Sequence, residues 1–283
     1  MKKVIYSFFI LSFLACTIDS ENTITDKESE KQEFNFLDSL AGALQSEEDA
    51  LFDEQTNDGE FFSLETMVSP KITGNVWPQA NSIGETHYAF DFHSFPDSSF
   101  EMGVFELEPN AKFTDVMSTS ISAVGLLMSP KAKKIFEAFN LGKHKFYPCI
   151  VDDLKGESRT YFYLQLIADL DADEYINFEK SEFVSFTGLS PTESDSVIQF
   201  ASNQEYLNYK ADKYDRWKDG IDDKMEMVDV KQLFINNLDT SLSIFMFSKM
   251  TQEIYASKEL ATALKVNGIT GIEIKSTNRL ILD

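Results

Sequence analysis

One stretch, IYASKELATALKVNGITGIEI at residues 254–274, constrains the fold more than any other part of this sequence, because a looser version, LLMSPKAKKIFEAFNLGKHKFYP, occupies residues 126–148. In each, a short apolar run ends in a serine, Ser257 or Ser129. A serine in that place accepts from the free N–H groups of a first helical turn and opens a helix as its N-cap. Pro130 follows Ser129 at the first helical position, where a missing N–H costs nothing. Ala132, Ile135, Phe136 and Phe139 then recur at i, i+3, i+4, i+7, and Leu260, Ala263 and Leu264 do so over a shorter span. Asn140 with Gly142, and Asn267 with Gly268, are expected to end the helices, since Asn and Gly tolerate a left-handed backbone. A strand-like run follows each, HKFYP and GIEIK. Every residue type here has a folding reason. The pattern predicts two strand-Ser-helix-Gly-strand units in which Ser129, Gly142, Ser257 and Gly268 are structural caps.

Around these units the hydrophobic pattern is one of short strands. HYAFDF (87–92) and SFEMGVFELE (99–108) alternate in part, and TYFYLQLIADLD (160–171) is apolar enough for a central strand. INFEKSEFVSF (176–186) predicts a strand pair with a turn near Lys180, while LFIN and SIFMF supply further strands. Ser202 with Glu205 is a capping box opening a helix over EYLNYKADKY. No βαβα alternation is present, so the expected class is α+β, a mostly antiparallel sheet with a few short helices.

Before that body the chain changes character. Lys2 and Lys3 precede VIYSFFILSFLA, an apolar run too short to span a bilayer as a helix, so residues 1–15 are expected to be a signal peptide. Ala15 followed by Cys16 resembles the lipobox of bacterial lipoproteins, which implies lipidation of Cys16 and a membrane anchor. Residues 17–60 hold 14 acidic side chains against Lys27 and Lys31, a solvated composition. The expected organisation is therefore an acidic tether over 16–73, with a short helix near residues 34–45, and a folded domain over 74–283. Of the formal charge of -22, a net of -12 falls on residues 61–283. So acidic a body excludes nucleic acid as a partner and suits a basic protein surface.

Chemistry-bearing patterns are sparse. Cys16 and Cys149 are the two cysteines, and Cys149 in KFYPCIV is expected to be a small buried hydrophobe. Asp169, Asp171 and Asp173 mimic the start of a calcium loop, but Glu174 and Lys180 stand where that loop needs glycine and a bidentate glutamate. His87 and His93 lie an even spacing apart with Asp91 near them, and are expected to be ordinary surface or core residues. No phosphate loop, nucleophile elbow or zinc motif occurs, so no catalytic, metal or cofactor site is expected. Tyr206, Tyr209, Tyr214 and Trp217 form an aromatic row in a polar helical stretch. That row is either a binding face or the buried side of its helix, and Tyr209, Tyr214 and Trp217 are the candidate partner contacts.

Taken in order, FTDVMSTSISAVGLLMSPKAKKIFEAFNLGKHKFYPCIV, YFYLQL with INFEKSEF, then LFIN and IYASKELATALKVNGITGIEI, resemble immunity-protein family eleven of bacterial polymorphic toxin systems. The resemblance spans residues 112–275 and implies an α+β protein that binds and neutralises a cognate toxin, with no catalytic residues. Combined with the leader, it implies an immunity protein at the cell envelope, lipid-anchored and facing a toxin with a basic surface. Thr17, where aspartate would signal retention at the inner membrane, favours the outer membrane. The alternative is a surface lipoprotein using the same fold for envelope structure or ligand binding.

Overall fold

In the computed structural model, residues 61–283 are described apart from 85–88, 122–124, 168–169, 189, 193, 248–249 and 252. The longest pairing is the hairpin of β6 (His144–Asp152) and β7 (Ser158–Leu166), in register from Asp152↔Ser158 to His144↔Leu166. Its turn is closed by Asp153, whose Oδ1 accepts from the N–H groups of Lys155 and Glu157 at 2.8 Å each. From Tyr147 onward every second residue of β6, namely Tyr147, Cys149 and Val151, is buried, with Tyr163 and Tyr161 of β7 opposite the first two. β5 (Gly125–Met128) and then β4 (Val116–Met117) add antiparallel beside β7. On the other side β3 (Val104–Leu107) pairs parallel with β6, and β2 (Ala80–Ser82) pairs antiparallel with β3.

This six-stranded sheet returns on itself. Beyond β4, Ser118 O accepts from Gln79 N and Ala80 N at 3.1 Å, and Ser120 N donates to Ala80 O at 3.1 Å, joining the last strand to β2. The closure leaves an interior filled by Ala80, Phe105, Leu107, Met117, Leu127, Tyr147, Cys149, Val151, Tyr161 and Tyr163. One end is plugged by Phe90 and Phe100, whose rings meet Tyr147 edge-on. Gln165, fully buried there, accepts from Tyr147 OH and donates to the carbonyls of Asp91 and Ser94. The expected strand at 87–92 is thus corrected over its described part, residues 89–92. Its aromatic alternation reflects Phe90 entering the core from a loop, which Asp91 turns by accepting from His93 N and Ser94 N. The first half of 99–108 is likewise loop, and only β3 is strand.

A second sheet has the order β11 (Ile244–Met246), β12 (Ile254–Ser257), β1 (Phe61–Thr66), β13 (Ile272–Ser276). The expected tether boundary at residue 73 is therefore too late. β1 lies between β12 and β13, with Phe61, Phe62 and Leu64 buried, so the body begins by residue 61. The acidic run just before it masks six residues that read well as a strand.

The two Ser-helix units occupy matching places. β5 and β6 both run antiparallel to β7, which lies between them, and β12 and β13 both run antiparallel to β1. α1 (Pro130–Phe136) and α4 (Lys258–Val266) connect the outer strands and pack against each other. Ile244↔Ala256 repeats Val116↔Met128, and each residue lies the same distance along the chain from its counterpart as Ser257 does from Ser129. Each copy holds the other: Val116 N donates to Thr270 O at 2.9 Å, and Ser243 N donates to Asn140 O at 2.8 Å. The pattern seen in sequence is an internal duplication in which the N-terminal strand completes the second copy.

A third sheet, β14 (Leu280–Leu282), β10 (Met227–Ile235), β8 (Glu182–Phe186), β9 (Ser196–Ile198), carries α3 (Asn203–Lys218). The expected strand pair at 176–186 is one strand, β8, preceded by a single bridge from Ile176 to Ile235. Lys180 does lie in the turn between them. α2 (Ala172–Tyr175) is a single turn capped by Asp171. The class is α+β, mostly antiparallel with short helices, as the sequence predicts. Among the described residues no helix is long and apolar enough to cross a membrane.

Candidate functional site

Ser129 and Ser257 both cap helices, their Oγ atoms accepting from Ala132 N at 3.2 Å and Leu260 N at 3.4 Å. Gly268, at φ 58, ends α4 with Gly268 N on Lys265 O and Ile269 N on Leu264 O, a Schellman motif. Gly142 is different. α1 ends at Phe136 with Glu137 as its C-cap, so Gly142, at φ 63, turns the chain into β6 instead of capping the helix. Charged Glu137 holds the end because Ala138 and Phe139 close it with tight i→i+3 bonds to Ile135 O and Phe136 O. Cys149 is interior, and burial pushes its thiol up to about 12, where no thiolate forms at neutral pH. Cys16, the 34–45 stretch, His87 and Asp169 lie outside the described residues. His144 contacts Gly142 O through Nδ1 at 3.0 Å, and Asp171 spends its Oδ1 on Asp173 N. Two clefts, of about 270 Å³ beside Asp171 and Asn203 and about 260 Å³ beside Asp115 and Ser129, fall below the roughly 300–1,000 Å³ of ligand pockets.

The aromatic row divides along α3. Ser202 Oγ accepts from Glu205 N at 3.2 Å, while Glu205 Oε2 reaches back to Ala201 N at 2.7 Å, one residue before the cap it was expected to serve. The buried residues of the helix, Asn203 and Tyr206, both belong to its first turn. Tyr206 packs among Phe183 and Phe200 with ring centroids 5.3 and 5.4 Å away. Trp217 lies eleven residues on, which returns it to within about 20° of the same face but carries it roughly 16 Å along the axis. There Tyr214 and Trp217 are 45% and 42% exposed.

What holds this end of the helix is polar. Tyr209 OH donates to Glu226 Oε1 at 2.7 Å, Lys213 Nζ meets Glu226 Oε2 at 2.7 Å, and Ser185 Oγ also donates to Glu226. Burial alone would push the Glu226 carboxyl up, but bonds from Lys213, Ser185 and Tyr209 outweigh it and hold the group at about 2. Burial and the bond to Glu226 raise Tyr209 in turn. The helix closes with a second Schellman motif, Gly220 N on Trp217 O and Ile221 N on Arg216 O, with Gly220 at φ 70. Arg216 then grips Asp222 through Nε and Nη2 at 2.8 and 2.9 Å.

On that braced end the Tyr214 and Trp217 rings lie 6.0 Å apart, and Ile221 and Met225, a few residues further along the chain, are also exposed. Of the expected contacts, Tyr214 and Trp217 are available, whereas Tyr209 is half-buried and engaged with Glu226. Ile221 and Met225 were not singled out by sequence, where each is an isolated apolar residue among charged ones. Asp212, Asp215, Asp219 and Asp223 are also exposed here, as are Lys218 and Lys224, while Lys213 and Arg216 are committed to Glu226 and Asp222. An exposed aromatic pair, its rings inclined at 53°, on a braced helix end among charged residues of both signs can bury against a protein surface at little ordering cost. Neither protein-family models nor curated protein sequences match this chain.

Proposed function

We propose that this chain is a non-catalytic binding protein held at a bacterial envelope by lipid on Cys16, an immunity protein that neutralises a cognate toxin bearing a basic surface. The observation that carries the proposal is the Tyr214–Trp217–Ile221 platform, exposed yet braced by a Schellman turn and the Arg216–Asp222 pair. Exposed aromatics on rigid supports are the residue types that dominate protein interfaces. The net charge of -22 supplies a field that draws in a cationic partner. The resemblance at residues 112–275 supports the toxin as that partner, and the leader supports the envelope as the place.

Binding rates to the toxin encoded beside the gene test this. Tyr214→Ala and Trp217→Ala should each speed dissociation about tenfold or more and leave association nearly unchanged. Association should slow as salt rises, because the acidic field is screened within about 8 Å at physiological ionic strength. Wild-type affinity and full protection of cells by both variants would reject the platform as the binding face.

A further inference from the structure

Eight of the eleven exposed large hydrophobics among the described residues fall into two groups, and the α3 platform accounts for four. The other four, Val68 (52%), Ile72 (41%), Trp77 (68%) and Ile83 (54%), come from residues 67–84, from the end of β1 to just past β2. The surroundings of this group are opposite in kind. Residues 67–84 contain no Asp or Glu, although the chain carries 47 of them, and their one charged residue is Lys71. Lys112 adds a second cation, its Nζ reaching Lys71 O at 2.7 Å.

The loop is not loosely hung. Ser69 and Gly74 form a bridge, Thr73 is fully buried, and its Oγ1 accepts from Ser69 N at 2.7 Å. Lys112 N donates to Thr73 O at 3.0 Å. Gly74, at φ 84, lets the backbone lie so close that a Cβ would stand 2.1 Å from Asn110 O. A buried polar floor thus fixes a backbone that turns Val68, Ile72 and Trp77 outward. Two carboxylates border the segment on the β2 side, Glu106 opposite Asn81 and Glu108, which is bonded to Asn81 and through its N–H to Gln79 O at 2.8 Å.

We infer that this loop is a membrane-contact surface, which rests its Trp77, Ile72 and Val68 side chains in the interfacial layer of a phospholipid bilayer. The inference rests on the envelope reading and adds an orientation to it. Tryptophan favours the headgroup level, where its ring is apolar and its N–H stays wet, and aliphatic neighbours deepen the contact. Lysines at the rim meet lipid phosphates, while carboxylates there would be repelled by an anionic leaflet. A basic protein partner would select the more acidic parts of the surface, not a stretch without acid. The place in the chain agrees: the loop begins one six-residue strand, about 20 Å, from Phe61, where the preceding 60 residues join the body.

The two tryptophans of the sequence are Trp77 and Trp217, one in each exposed group, so each reports alone when the other is Phe. Full-length chain carrying Trp217→Phe, mixed with phosphatidylcholine–phosphatidylglycerol vesicles containing brominated acyl chains, should show Trp77 emission shifted to the blue and quenched. Full-length chain carrying Trp77→Phe should show Trp217 unchanged. Ile72→Glu in the Trp217→Phe chain should abolish the quenching while circular dichroism stays that of the folded protein. Flotation of the chain with vesicles, but Trp77 unquenched, overturns the inference and leaves anchoring intact. Absence of flotation removes both together, and a Trp77 blue shift seen without lipid, growing with protein concentration, assigns the loop to contact between copies.

Discussion

Glu226→Gln is the substitution that best measures how the α3 platform is held. The carboxylate takes bonds from Tyr209 and Lys213 of α3 and from Ser185 of β8, so two elements converge on one charge. At about 1.4 kcal/mol per pH unit, a carboxyl moved from its ordinary 4.5 to about 2 is worth at most about 3.4 kcal/mol. The side chain is 27% exposed, and water screens part of that, leaving about 1–2 kcal/mol. The unfolded chain takes up its proton near pH 4.5, the folded one only near pH 2. The contribution is therefore complete above about pH 4.5 and shrinks steadily as acid approaches pH 2. Urea unfolding of wild type and Glu226→Gln, run from about pH 7 to about pH 3, isolates this group because every other carboxylate is common to both. The stability gap should stay level down to about pH 4.5 and then narrow. A gap of the same size at pH 3 as at pH 7 would refute the assignment to charge, and would leave shape as the cause.

Ser129→Ala and Ser257→Ala should each cost about 0.5–2 kcal/mol in urea unfolding. Ser129→Ala should cost more, because its Oγ also donates to Asp115 Oδ1 at 2.9 Å; the reverse order would count against that bond. Gly271→Ala should destabilise far more than Gly268→Ala in a thermal melt. Both glycines hold positive φ, but a Cβ at Gly271 would lie 2.0 Å from Val116 O while Gly268 has open space, so Gly268→Ala is expected near 1 kcal/mol. In a Cys16→Ser chain, Cys149 should react with iodoacetamide at mildly alkaline pH only as fast as the protein opens, since burial keeps its thiol protonated. Labelling at the rate of a free thiol would remove Cys149 from the interior.

The parts legible in sequence are those in which one residue type has one local job. Ser129, Ser257 and Ser202 each announce a helix start, and Ala132, Ile135 and Phe136 declare the buried face by spacing alone. Long-range closure has no such local mark. Nothing near Ser118 says that it bonds to Gln79 and Ala80, so the six-stranded sheet looks open from sequence. Composition also misleads where windows overlap, as when acids before residue 61 hide β1. At the candidate site, Tyr206 and Trp217 share a helical face, and periodicity treats them alike. What separates them is axial position relative to a body whose edge the sequence does not reveal. Gly142 shows the same limit, because a left-handed glycine fits a helix end and a strand entrance equally well.

β1 has a consequence in time. It is the first strand of the described body to be synthesised, yet its partners on either side are β12 and β13, near the end of the chain. Phe61 cannot meet Ser257 until nearly the whole protein exists, and closing so long a loop is slow. Throughout synthesis Phe61, Phe62 and Leu64 stay without their sheet, so no complete body can form early and lock. Its last strands then act as the latch, completing the fold only once they have been made.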